Sequence, residues 1–84
     1  MSALLTAEEI SKAANTMYKE LENIRITLIN IRISVAHIKD KSEARALDTI
    51  ADHIEQAVLT FEQEAKSMGV MANSIIEDIK HNKD

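Results

Sequence analysis

The sequence predicts an all-α protein, an antiparallel two-helix hairpin of coiled-coil type, and three observations carry that prediction. The 84 residues include no proline, no cysteine, one glycine and two aromatics, Tyr18 and Phe61. That composition suits long uninterrupted helices and denies an all-β fold its turn residues. Apolar residues recur at alternating spacings of four and three through both halves of the chain, the pattern of a helical seam. The stretch "KDKSEA" interrupts the pattern once, near the middle. One domain is therefore expected over residues 1–84, with a helix over about 7–39, a turn over about 40–43 and a second helix over about 44–80.

The first helix has to win against a strand. "IRITLINIRISV" alternates apolar and polar residues and is rich in β-branched side chains, as a half-buried strand would be. The alternation changes phase between Leu28 and Ile29, however, and no Gly, Asn-Gly or Pro nearby could build a hairpin turn. The helical series Ile10, Ala14, Met17, Leu21, Ile24, Leu28, Ile31, Val35 and Ile38 runs without a miss. Thr6 followed by Glu9 forms a capping box, and Leu5 with Ile10 a hydrophobic staple, so the helix is expected to start at about Ala7.

The second helix carries Leu47, Ala51, Ile54, Val58, Phe61, Ala65, Met68, Ala72, Ile75 and Ile79 at the same spacing. Asp40 or Ser42 can cap its start, and Lys80, His81 and Lys83 suit its carboxyl end. Gly69 lies mid-helix, where it either permits close helix approach or costs about 1 kcal/mol of helix propensity.

Charges beside the two seams predict antiparallel pairing. Arg25, Arg32 and Lys39 each follow a seam residue by one position, as do Asp48, Glu55 and Glu62. Folding about one turn sets Arg25 against Glu62, Arg32 against Glu55 and Lys39 against Asp48, a basic row on an acidic one.

Some apolar residues have no place in that seam. Ile26, Ile29, Ile33 and Ala36 form a further stripe on the back of the first helix, and Ile50, Ala57 and Met71 flank the second seam. Three isoleucines in one row exceed the scatter of single surface apolar residues. These seven positions are the expected partner interface, completing a helical bundle with a second copy or with another helical protein.

Chemistry is sparse. His37, His53 and His81 fall on outer positions with no acidic set spaced for a metal, so they read as solvated. "AHIKDKSEARA" resembles a histidine phosphotransfer helix only loosely, because Lys39 comes one position early and Asp40 stands where a small residue is needed. Glu8/Glu9 and Glu77/Asp78 diverge on a helix and make no acid–base pair. No catalytic residue, cofactor or metal is expected. The net charge of −4, without a basic stripe or stacking aromatics, argues against a nucleic-acid role. Arg25, Arg32 and Lys39 break the most apolar stretch short of a membrane span. No cleavable signal peptide is visible in "MSALLTAEE", so a cytoplasmic protein is expected, one that leaves the cell, if at all, together with a partner.

A cysteine-free, acidic helical hairpin that opens with "LLTAEEI" and runs on to "YKELENI" resembles the WXG (ESAT-like) family of type VII secretion and the small helical partners of LXG toxins. The Trp-x-Gly of that family's turn is replaced by "KDKSEA". No Tyr-x3-Asp/Glu signal follows the second helix, and Tyr18 with Glu22 has that spacing in the first. The resemblance implies an obligate helical partner, an LXG-type effector or a WXG-like subunit, that supplies any export signal.

Overall fold

A computed structural model describes residues 2–82. Helix α1 spans Ala3–Ala36 and helix α2 spans Lys41–Asn82, and no strand occurs among the described residues. The two run antiparallel as a rod 66 × 18 × 15 Å. The stretch "IRITLINIRISV" is helical throughout.

Each helix boundary differs from expectation by a few residues, for physical reasons. α1 begins at Ala3, not Ala7, because Ser2 is extended (φ −86°, ψ 147°) and its Oγ accepts a hydrogen bond from the Leu5 N–H at 3.0 Å. Ser2 thus fulfils the cap role expected of Thr6. Nothing between Ala3 and Thr6 breaks a helix, and Thr6 lies inside it with its hydroxyl on the Ser2 carbonyl at 3.1 Å.

At the other end, Asp40 is the cap of α2. Its Oδ1 accepts from the N–H groups of Ser42 at 2.9 Å and Glu43 at 3.1 Å, so α2 starts at Lys41 rather than at about residue 44. A cap residue has to leave the helical region of backbone space, and α1 accordingly stops at Ala36 instead of about residue 39. The closing turn tightens to i→i−3 bonds, His37 N to Ser34 O and Ile38 N to Val35 O, both 3.1 Å. The His37 ring nitrogen Nδ1 sits 2.8 Å from the Ile33 carbonyl, in the last turn of α1, where carbonyls generally lack intrahelical partners. No described residue has a positive φ, which is why the turn forms without glycine.

The larger correction concerns the seam. Only one residue per heptad is buried in it: Ala7, Ala14, Leu21 and Leu28 on α1, and Ala51, Val58, Ala65 and Ala72 on α2. The alternate members of the expected seams are half exposed, among them Ile10 at 44%, Met17 at 41% and Phe61 at 50%. Two helices share one line of contact, and small residues on that line bring their backbones close, so only a single column fits between them. The remaining large residues need a third helix to cover them.

Candidate functional site

Residues four beyond the buried column lie about 50° to one side of it, and residues three beyond it about 50° to the other. The hairpin therefore has two dissimilar flanks, and the contacts between helices identify each.

The first flank is polar. Arg25 pairs with Glu62 at 2.6 Å. Arg32 reaches three carboxylates, Asp52 and Glu55 at 3.0 Å each and Asp48 at 3.3 Å. The contacts with Asp52 and Glu55 hold its guanidinium above the ordinary arginine range, with the Asp52 hydrogen bond the largest cause. Ser11 donates to Asn73 Oδ1 at 3.1 Å, one turn or so from where Gly69 passes Ala14.

Two of the three expected charge pairs are thus adjacent, and the third is not. Lys39 lies in the turn, beyond the end of α1, and so leaves the helical row on which it would have met Asp48. Asp48 is engaged by Arg32 instead. Asp52 was not singled out by the sequence pattern. It stands four residues after Asp48 on the same helix face, a spacing that could have revealed it.

The second flank is apolar. Ile10, Met17 and Ile24 from α1 line it together with Leu47, Phe61 and Ile75 from α2, each between 41% and 50% exposed. Ile10 and Ile75 border the same hollow near the open end, so the two rows form one strip. Ile31, Ile54 and Met68 continue it in half-buried form. A signal for this strip was present: the buried column is largely alanine while its neighbours three residues on are large.

The seven residues expected to make one interface divide between the flanks. Ile50 and Met71, at 54% and 57% exposed, and the exposed Ala57 border the apolar strip on α2. Ile26, Ile29 and Ile33, similarly exposed, lie with Ala36 on roughly the opposite side of α1. There Ile29 shares a trough with Arg25, Arg32, Glu55 and Leu59. One partner helix cannot touch both groups.

Chemistry-bearing residues do not converge. Among the described residues no three or more His, Asp or Glu side chains are placed to hold a metal ion, and no buried side-chain polar atom lacks a hydrogen-bond partner. No described helix is long and apolar enough to cross a membrane. The class so defined is an elongated antiparallel helical hairpin with an ion-paired flank and an open apolar one. No family model, curated protein or solved structure matches the chain.

Proposed function

We propose that the chain is a helical interaction subunit that accompanies a larger protein as its targeting or chaperone factor. The partner lays the helical amino-terminal region of its own chain along the hairpin. One observation carries this reading: a two-helix scaffold leaves Ile26, Ile29 and Ile33 exposed in a single row on the back of α1. Contiguous apolar surface on such a scale marks an interaction site, and an amphipathic helix laid along a groove is the simplest cover for it. The resemblance to the small helical partners of type VII secretion gives the partner its kind, an LXG-type effector or WXG-like subunit.

The test is the double variant Ile29→Asp/Ile33→Asp, which places charge on the back of α1 and leaves the buried Leu21 and Leu28 alone. The variant is expected to keep its helicity, to lose the protein that co-purifies with the wild type from the native cell, and to lower export of that protein. Retained binding and undiminished export would remove Ile29 and Ile33 from the interface. The competing reading, a self-associated homodimeric four-helix bundle without a secretion role, is tested by light scattering on the purified chain alone.

A further inference from the structure

We propose that the apolar strip of Ile10, Met17, Ile24, Leu47, Phe61 and Ile75 receives an amphipathic helix whose apolar stripe is bordered by lysine or arginine. This rests on the reading of the chain as a helix-binding subunit, but neither on the Ile29/Ile33 stripe nor on secretion.

Charge selects the occupant. One row outward from the strip stand Glu20 on α1 and Glu43, Glu64 and Asp78 on α2, all exposed and none in an ion pair among the described residues. The rest of that border is uncharged, for example Ala13, Thr27 and Ser34 on α1. Every lysine and arginine of the two helices, from Lys12 to Lys80, falls on the other half of the hairpin by its heptad position. The strip is thus an apolar floor between two rims that carry negative charge only.

That pattern discriminates between the possible covers. A second copy seated face to face would bring acidic rims together, and like charges juxtaposed across an interface are unfavourable. A helix bordered by Lys or Arg pairs with both rims while its apolar stripe fills the floor. The strip is also long enough: it runs along a rod 66 Å in length, which accommodates a helix of about 28 residues, ~42 Å at about 1.5 Å per residue.

The experiment uses the full chain and two synthetic helical peptides of about 28 residues, ~42 Å long, with identical leucine stripes. One is bordered by lysine and the other by glutamate, and binding is read by fluorescence anisotropy at low and high salt. The lysine-bordered peptide is expected to bind at least about ten-fold tighter, with the gap closing as salt shortens the Debye length. Ile24→Asp/Phe61→Asp is expected to abolish binding. Glu20→Lys/Glu64→Lys, which leaves the floor intact, is expected to erase or reverse the preference. Four results would overturn the proposal: equal binding of both peptides, binding of neither by a chain that is helical by circular dichroism, binding unaffected by Ile24→Asp/Phe61→Asp, or a homodimer that this variant converts to monomer. The peptide assay reads this face alone, so its failure is distinct from failure of the partner-export test.

Discussion

Gly69 illustrates how a single position decides between two sequence readings. Its backbone is helical with φ negative, and the Cβ it lacks would meet only the Ala14 Cβ at 3.7 Å, an ordinary van der Waals distance. Close approach therefore does not require glycine here, and what remains is its poor helix propensity. Gly69→Ala is expected to stabilise the hairpin by about 1 kcal/mol, seen as a higher midpoint in urea at unchanged slope; a lower midpoint would mean that the seam cannot yield even to ordinary contact. Asp40 is the converse case. Its carboxylate satisfies two of the amide groups at the start of α2, so Asp40→Ala is expected to cost ~1 kcal/mol and Asp40→Asn much less. Matching losses for the two substitutions would assign the effect to charge rather than to capping.

Between elements, burial and charge have separate effects. The buried column lies on the line of contact, and Leu28, at 4% exposed, is among its few large members. Leu28→Ala is expected to destabilise by about 2–4 kcal/mol, enough to unfold much of so small a domain, which circular dichroism would report. The ion pairs are exposed and individually weak, so their principal consequence is direction: Arg25 and Arg32 find acids only when the helices are antiparallel. Reversing both arginines to Glu is expected to lower the thermal midpoint at low salt. Adding Asp52→Lys, Glu55→Lys and Glu62→Lys is expected to restore it, with both differences shrinking at high salt. Identical midpoints at low salt would deny the pairs any part in the register. Lys39 has no place in this set because α1 ends before reaching it.

At the scale of the whole molecule, a rod with one buried column keeps much of its apolar surface in water. A helical protein of this size with so few large buried side chains is marginal alone. Covering a flank adds burial that the hairpin itself cannot provide, and a ligand that binds only the folded state stabilises it by mass action, ~2.7 kcal/mol at one hundred times its dissociation constant. The isolated chain is accordingly expected to melt at a modest temperature, and to melt substantially higher in complex with its helical partner. A midpoint indifferent to saturating partner would show that the hairpin gains nothing from being covered.

The helices, their antiparallel sense and the Arg25–Glu62 and Arg32–Glu55 contacts were legible in the residues alone, because periodicity and charge placement along a helix are local properties. Asp40 was foreseen as one of two possible caps, although the helix ends moved when Ser2 and Asp40 took those roles. The division of the apolar residues was not legible in the same way. A four-three pattern marks two rows per helix as apolar, and it cannot say whether one neighbouring helix covers both. Only the packing distance between α1 and α2 answers that, and the alanines on their contact line bring the helices together along one column. The other row then faces outward from both helices at once, and Ile26, Ile29 and Ile33 fall on the opposite side from Ile50 and Met71 because separation around a helix pair depends on where the second helix sits.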